Sequence, residues 1–198
     1  MSRSLLIFFL LVGPRLWAQD EPLPQPIIDT NYIYRSLAAA LQNADNVYRL
    51  NLSKTKMREI PHDLFKLKNL RELDLSRNKL DSIPAEIGTL TNLTSLNLSA
   101  NNLELLPDEI GNLSNLVYLN LNRNKIVELP ATIGNLSNLE RLDLWDNELS
   151  GMPDEISKLK KLKILEIRGI LFSEEEAARI DSLLPDTKVY MSPTCNCK

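Results

Sequence analysis

The sequence offers few side chains whose types and spacing suit catalysis. His62 is the only histidine, and general acid–base chemistry needs a positioned partner for such a group. No serine or cysteine lies in a recognisable nucleophile motif, and no glycine-rich loop for phosphate appears. The acidic pairs Asp108–Glu109 and Asp154–Glu155 each follow a proline, where they favour the start of a turn through its dipole. We therefore predict a protein that is not an enzyme and that holds no cofactor or metal.

The two cysteines, Cys195 and Cys197, form a C-x-C pair near the end of the sequence. A structural zinc site needs four ligands, so this pair does not make one by itself. In an exported protein the pair can form a strained local disulfide, bridge to another chain or stay unpaired. No disulfide framework holds the rest of the chain, whose stability must come from burial.

The composition excludes one class of partner. The 198 residues are 43% hydrophobic and 25% charged, with a net charge of −3 and an isoelectric point near 5.3. These values are typical of a globular domain with a real core. A nucleic-acid partner would require a clustered basic surface, which this balance argues against.

A 23-residue period organises most of the chain. Repeats start at residues 47, 70, 93, 116 and 139, and a partial sixth starts at residue 162. The frame reads L-x-x-L-x-L-x-x-N-x-L-x-x-I/L-P-x-x-I/L-x-x-L-x-x, as in the third repeat, from Leu93 to Asn115. A fixed period of this length indicates supersecondary units that stack on one another.

Each repeat predicts a short strand followed by a turn. Leu96 and Leu98 alternate with polar residues, which is the period-2 pattern of a strand with its leucines inward. Stacking such strands predicts a parallel sheet along one side of a solenoid. Pro107 fixes the backbone where a short turn or helical piece begins on the opposite, convex side. A recurring glycine predicts a tight or left-handed backbone position, at Gly88, Gly111 and Gly134.

An asparagine follows each strand of the second to fifth repeats, at Asn78, Asn101, Asn124 and Asn147. A buried amide at this position can satisfy backbone groups of its own turn and of the neighbouring coil. We therefore expect these residues to form a structural ladder and not to contact a ligand. The first repeat carries Thr55 there instead.

These motifs resemble those of leucine-rich repeat proteins, specifically the 23-residue type with I/L-P in each repeat. That type is similar to the Ras-group and disease-resistance-like repeats and to short secreted bacterial repeat proteins. The resemblance covers residues 47–169. It implies an α/β solenoid, a curved horseshoe whose concave parallel sheet binds proteins or peptides.

The segments outside the array are predicted as follows. Residues 1–18 resemble a signal peptide, and the alternative is a buried N-terminal helix or an uncleaved anchor. A signal peptide predicts an exported protein, either periplasmic or secreted. After cleavage, we expect no stable insertion into the membrane. Residues 19–30 form a proline-rich linker. Residues 31–46 form an N-terminal helical cap, with a helix over residues 32–43 whose apolar face is Ile33, Leu37, Ala40 and Leu41. Residues 170–191 form a C-terminal cap with a helix that starts at Ser173 and stops before Pro185. Residues 192–198 form a tail.

Two large aromatics stand out among the outward positions of the predicted strands. Tyr118 and Trp145 lie on adjacent strands with arginines nearby in the frame, and these residue types often anchor protein interfaces. We therefore predict a partner-binding surface on the concave face, made by Tyr118, Trp145, Arg123, Arg141, Asn120, Asp143, Arg77 and Arg168. One alternative is that Trp145 merely shields the sheet edge. Another is a carbohydrate- or cell-envelope-binding module that stacks sugar rings on the aromatics. The ligand and the oligomeric state are not named by the sequence.

Overall fold

A computed structural model describes residues 29–193. Its eight strands form one parallel sheet in chain order. They are β1 (Ile33–Tyr34), β2 (Arg49–Asn51), β3 (Glu72–Asp74), β4 (Ser95–Asn97), β5 (Tyr118–Asn120), β6 (Arg141–Asp143), β7 (Ile164–Ile167) and β8 (Lys188–Met191). The predicted signal peptide and the two cysteines lie outside the described residues.

The sheet register is the sequence period itself. From β2 to β6, each strand residue pairs with the residue 23 positions later, as Leu73 does with Leu96 and Leu96 with Leu119. The central leucine of each of these strands is buried, while its two neighbours carry side chains on the other side of the sheet. The predicted parallel sheet with inward leucines is therefore confirmed.

Short 3-10 helices cover the side of the core opposite the sheet. Each of those in the repeats begins directly after the proline of the frame: His62–Lys66, Ala85–Thr89, Asp108–Asn112, Ala131–Asn135 and Asp154–Lys158. The prolines are extended, as Pro107 is with φ −71° and ψ 149°, and the residues after them turn into the helix. This confirms the predicted helical piece at the proline. The leucines and isoleucines of the frame fill the space between helices and sheet.

The recurring glycines occupy a tight position. A Cβ built on Gly111 would lie 2.5 Å from the backbone oxygen of Thr132 in the next repeat, and the other two glycines are equally crowded. Left-handed backbone occurs elsewhere, in the turns after the strands, at Lys54, Lys56, Arg77, Ala100, Arg123, Asp146 and Gly169. Of the two predicted backbone positions, the tight one is therefore correct, and it arises from close packing against the next repeat.

The N-terminal segment differs from the predicted helix over residues 32–43. Ile33 belongs to β1, which pairs with β2. This pairing provides hydrogen-bond partners for backbone groups at the outer edge of β2. Helix α1 spans only Leu37–Leu41, because the hydroxyl of Ser36 accepts the N–H of Ala39 and starts the helix there. A further 3-10 helix covers Ala44–Asn46. That this segment caps the stack remains a proposal.

The C-terminal helix begins at its predicted position, while the capping role of this segment remains a proposal. Helix α2 spans Glu174–Leu183, and the hydroxyl of its N-cap Ser173 accepts the N–H of Glu176. Strand β8 then pairs with β7. None of the helices in residues 29–193 is long and apolar enough to cross a bilayer.

Candidate functional site

The candidate site lies on the side of the sheet that faces away from the core, which we call the open sheet face. It is formed by the first and last residues of the strands and by the turns that follow them. The register brings the third position of every repeat into one row and the fifth into another. Side chains of neighbouring repeats therefore meet there although they are 23 residues apart in sequence.

Tyr118, Arg141 and Asp143 form one hydrogen-bonded network on β5 and β6. The hydroxyl of Tyr118 donates to Oδ2 of Asp143 at 2.9 Å. Nε of Arg141 donates to the same oxygen at 3.0 Å and lies 2.8 Å from Oδ1. Partial burial and then the hydrogen bond to the Asp143 carboxylate raise the pKa of Tyr118 to about 12. The hydrogen bond to Asp143 likewise raises the pKa of Arg141.

Asp143 is buried beneath its partners, which changes the role expected of it. Only 2% of the residue is exposed, and Oδ1 has an ionic contact with Arg141 but no hydrogen bond. Asp143 therefore lies at the predicted outward position but is covered, and its contact with a binding partner stays a prediction. The side chains of its two partners cover it, and it holds Tyr118 and Arg141 in place.

Trp145 is held from two directions by the preceding repeat. Its backbone N–H donates to the side-chain oxygen of Asn122 at 3.0 Å. The guanidinium of Arg123 lies over its ring, 4.6 Å from the centroid. Arg123 has only a distant ion pair, 3.9 Å from Asp146, and 60% of its side chain is exposed. This pair presents an ordered aromatic ring and a weakly neutralised cation to solvent.

The next arginine along the face has a similar arrangement. Arg168 donates to both carboxylate oxygens of Glu166 at 2.7 Å and lies over the ring of Tyr190, 5.7 Å from the centroid. The Glu166 side chain is 6% exposed and that of Arg168 is 63% exposed. The hydrogen bonds to Glu166 raise the pKa of Arg168. The cavity beside it, about 330 Å³, is lined by Trp145, Arg168 and Gly169.

The remaining predicted residues lie at the margin of this cluster. Asn120 is committed to its own turn, because its Oδ1 accepts the N–H of Asn122 at 3.1 Å. Arg77 is exposed in the left-handed turn after β3, two repeats away from Arg123. The structure therefore brings together Tyr118, Arg141 and Asp143, places Arg123 and Trp145 beside them, and leaves Arg77 apart.

The asparagines predicted as a ladder are buried and serve the backbone. Nδ2 of Asn101 donates to the carbonyls of Leu98 at 2.8 Å and Leu75 at 3.1 Å, and its Oδ1 accepts the N–H of Leu80 at 3.1 Å. Asn124 and Asn147 repeat this pattern. The hydroxyl of Thr55 donates to the carbonyl of Leu52, as an amide would at that position.

A second asparagine ladder was not recognised in the sequence. It consists of the last residue of successive repeats, and each side chain donates to a carbonyl 24 residues earlier, at Asn69, Asn92, Asn115 and Asn138. The signal was present, because asparagine occupies the same frame position four times in succession. These bonds tie the exposed loops of adjacent repeats together.

A pocket on the open sheet face was also missed. It has a volume of about 250 Å³ and lies across β2 to β5, on the N-terminal side of the aromatic cluster. Its polar lining includes Asn51, Asp74, Asn97 and Tyr118. The sequence signal is Asp74, a carboxylate in a row that carries asparagine in the adjacent repeats.

The residues able to do chemistry are not assembled into a reactive site. His62 is exposed, and its Nδ1 lies 3.5 Å from Oε1 of Glu86. Within residues 29–193, no three His, Cys, Asp or Glu side chains are grouped so as to hold a metal ion. What the open sheet face offers is hydrogen-bonding, ionic and aromatic contact.

Family models match most of the array. One, described as a leucine rich repeat, matches residues 45–103, and another, described as a leucine-rich repeat region, matches residues 104–183. No curated protein sequence matches the chain.

Solved structures give the same result. A Leptospira interrogans leucine-rich repeat protein is 35% identical with a TM-score of 0.64, and the match covers 83% of this chain and 49% of that one. The leucine-rich repeat ectodomain of the Arabidopsis thaliana membrane receptor kinase GASSHO1/SCHENGEN3, solved in complex with CASPARIAN STRIP INTEGRITY FACTOR 2, is 35% identical with a TM-score of 0.66, covering 80% of this chain and 19% of that one. A Listeria monocytogenes internalin shares the fold at 20% identity and a TM-score of 0.64, covering 77% and 46%.

The chain thus spans about half the length of the two bacterial structures and about a fifth of the plant one. The repeat frame, the parallel sheet in 23-residue register and the matches to both family models all agree. The chain belongs to the leucine-rich repeat proteins.

Proposed function

We propose that the chain binds a protein or peptide through its open sheet face, with Trp145 and Arg123 at the centre. The observation that carries this proposal is the way Trp145 is held. Asn122 fixes its backbone and Arg123 orders its ring, yet the ring remains partly exposed. An aromatic anchor that is ordered before binding loses little conformational freedom when a partner covers it.

The orientation of the charge pairs supports the same proposal. Asp143 and Glu166 are buried, while the arginines that pair with them reach solvent. The exposed surface around Trp145 therefore presents guanidinium groups and aromatic rings, with Asp146 as an exposed carboxylate beside Arg123. Arginine, tyrosine and tryptophan are the residue types enriched at the centres of protein interfaces.

The arginines disfavour the alternative of carbohydrate binding. A sugar ring stacks on a free aromatic face, but the guanidinium groups of Arg123 and Arg141 lie over Trp145 and Tyr118, at 4.6 and 5.9 Å from the ring centroids. The family supports protein binding as well, since the Arabidopsis ectodomain was solved with CASPARIAN STRIP INTEGRITY FACTOR 2 bound. Both considerations support a protein-binding role.

The experiment is a pull-down from envelope and medium extracts with the parent protein and two variants, Trp145→Ala and Arg123→Glu. We expect a partner band that the parent retains and both variants lose, with the unfolding midpoint of each variant close to that of the parent. The matched control is Leu105→Ala, which removes a hydrophobic side chain that is 52% exposed outside the site. It should retain the band.

Two outcomes would contradict this proposal. A band that survives in both variants would place the partner elsewhere on the chain. A parent that retains no protein but binds a glycan array, with binding lost in Trp145→Ala, would establish the carbohydrate alternative.

We also propose that the protein is exported, on the basis of the signal-peptide pattern in residues 1–18. Expression in the native host followed by mass spectrometry should show a protein that begins at Gln19 outside the cytoplasm. An N-terminus at Met1 in the exported fraction would show that the segment is an uncleaved anchor instead.

A further inference from the structure

The pocket of about 250 Å³ on the open sheet face lies apart from the proposed centre at Trp145. It is bounded by the third and fifth positions of the first four repeats, and Tyr118 forms its wall on the side of the aromatic cluster. Its carboxylates are those of Glu72 and Asp74, and Arg49 is the one cation in its lining. The pocket therefore has a defined charge, which depends on how these three groups pair.

The pairing leaves one negative charge without a partner. Nε of Arg49 is 2.7 Å from Oε2 of Glu72, so these two charges neutralise each other. Within residues 29–193, no lysine, arginine or histidine nitrogen forms an ion pair with Asp74 at 4.0 Å or less. The buried carboxylates of the same face, Asp143 and Glu166, each have an arginine. Asp74 is thus the exception.

The hydrogen bonds of Asp74 come from neutral groups. Oδ1 accepts the N–H of Ser76 at 2.9 Å, and Oδ2 accepts from Nδ2 of Asn51 at 3.3 Å. Neutral donors orient the carboxylate but do not cancel its charge. A cation in the pocket stabilises a half-buried carboxylate more than a fully hydrated one. The reason is that protein screens the attraction between the two charges less than water does.

Tyr118, in the wall of the pocket, also favours a cation. Its hydroxyl proton is already donated to Asp143, so Tyr118 can offer the pocket its aromatic ring and the acceptor side of its oxygen. The guanidinium of Arg141 already lies over this ring, 5.9 Å from its centroid, so the ring accepts a cationic neighbour. A carboxylate at one side and an aromatic ring at the other are complementary to an ammonium or guanidinium group on an apolar stem.

We propose that this pocket receives a lysine or arginine side chain of the peptide ligand, whose charged group pairs with Asp74 beside the ring of Tyr118. This inference rests on the proposed function and adds the charge of one ligand residue to it. Three strand spacings of about 4.8 Å separate β3 from β6, roughly 14 Å. An extended segment advances about 3.3 Å per residue. The basic residue should therefore lie about four or five residues from the ligand residue that contacts Trp145.

The test uses the whole chain and a phage-displayed library of random linear peptides, followed by affinity measurement of the selected peptides. We expect the parent to select peptides with a lysine or arginine at one fixed distance from an apolar or aromatic residue. Changing Asp74→Asn should weaken their binding by roughly fivefold or more, in the range of a partly buried ion pair.

The Asp74→Asn change is well matched to the fold. Asparagine already occupies the same frame position as Asn51, Asn97 and Asn120, where its oxygen accepts the N–H two residues later. The variant should therefore fold as the parent does. The control is Asp81→Asn, which removes the same charge from an exposed side chain outside the pocket and should bind the peptides as tightly as the parent.

The outcomes separate this inference from the proposed function. Selected peptides without a basic residue, or equal binding by Asp74→Asn and the parent, would overturn the pocket assignment. If such peptides still required Trp145, the proposed function would stand. If they bound equally well to Trp145→Ala, both proposals would fail, whereas a library that yielded no binder would overturn the pocket assignment alone.

Discussion

The hydroxyl of Tyr118 donates to the buried carboxylate of Asp143, 2.9 Å away on the next strand. This bond links the two halves of the open sheet face. On one side Tyr118 is the wall of the Asp74 pocket, and on the other Asp143 holds Arg141 beside the proposed centre. The shape of both regions therefore depends on a bond between side chains 25 residues apart in sequence.

The first prediction concerns the ionisation of Tyr118. Its folded-state pKa of about 12 lies above the ordinary value of 10.0. The folded protein therefore keeps this proton where the unfolded chain releases it. The contribution to the free energy of unfolding is fully present below pH 10 and is lost as the pH rises from 10 towards 12.

The measurement is a titration of phenolate absorbance in the folded protein. One tyrosine should ionise about two pH units above an ordinary one, and Tyr118→Phe should remove that late component alone. The chain has five tyrosines, so the variant is needed for the assignment. A late component that persists in Tyr118→Phe would contradict the bond to Asp143.

The second prediction concerns the core. Leu96 is fully buried beneath β4, so Leu96→Ala should lower the free energy of unfolding by about 2–5 kcal/mol, as deletion of a buried leucine side chain does. Urea unfolding measures this change. Leu105→Ala, at an exposed leucine, should stay within about 0.5 kcal/mol of the parent. Equal stability of the two variants would contradict the inward orientation of the strand leucines.

The third prediction concerns the buried asparagine ladder. Asn101→Ala removes three donated hydrogen bonds, of which the one to Ser99 is long at 3.4 Å, and one accepted bond. Unpaired buried backbone groups should then cost about 1–3 kcal/mol in the free energy of unfolding, or more if they do not rearrange. Asn102→Ala is the control, because Nδ2 of Asn102 donates only to Oδ1 of Asp81 in an exposed site. If both variants unfold at the same urea concentration, the ladder does not stabilise the stack.

The fourth prediction concerns the contact between repeats at Gly111. A Cβ there would lie 2.5 Å from the carbonyl oxygen of Thr132, and backbone cannot move away as a side chain can. Gly111→Ala should therefore lower the free energy of unfolding by about 1–3 kcal/mol, as overpacking does. At Gly151 the nearest atom to such a Cβ is the end of the Glu176 side chain, at 3.1 Å. In thermal unfolding followed by circular dichroism, the melting temperature of Gly151→Ala should therefore lie closer to that of the parent than the melting temperature of Gly111→Ala does. A lower melting temperature for Gly151→Ala than for Gly111→Ala would contradict the packing described for Gly111.

The sequence by itself determined the repeating parts of the fold. A 23-residue period with leucines at fixed positions allows one kind of burial only, in which successive units stack and their strands align in register. Strand positions, the inward leucines, the helical turn at each proline and the start of α2 at Ser173 all follow from local patterns. The edge of the array was harder to predict, because whether Ile33 joins a helix or a strand depends on the free edge of β2.

The tertiary structure decided what the side chains of the open sheet face do. The same outward position of the frame holds the half-buried Asp74, without an ion pair, and the buried Asp143, paired with Arg141. The difference comes from the third positions of their own and preceding strands, because Tyr118 and Arg141 both contact Asp143, whereas Arg49 pairs with Glu72 and not with Asp74. Charge pairing and burial are set by side chains on the neighbouring strands. The sequence pattern of one repeat does not show which of these side chains contacts a given carboxylate.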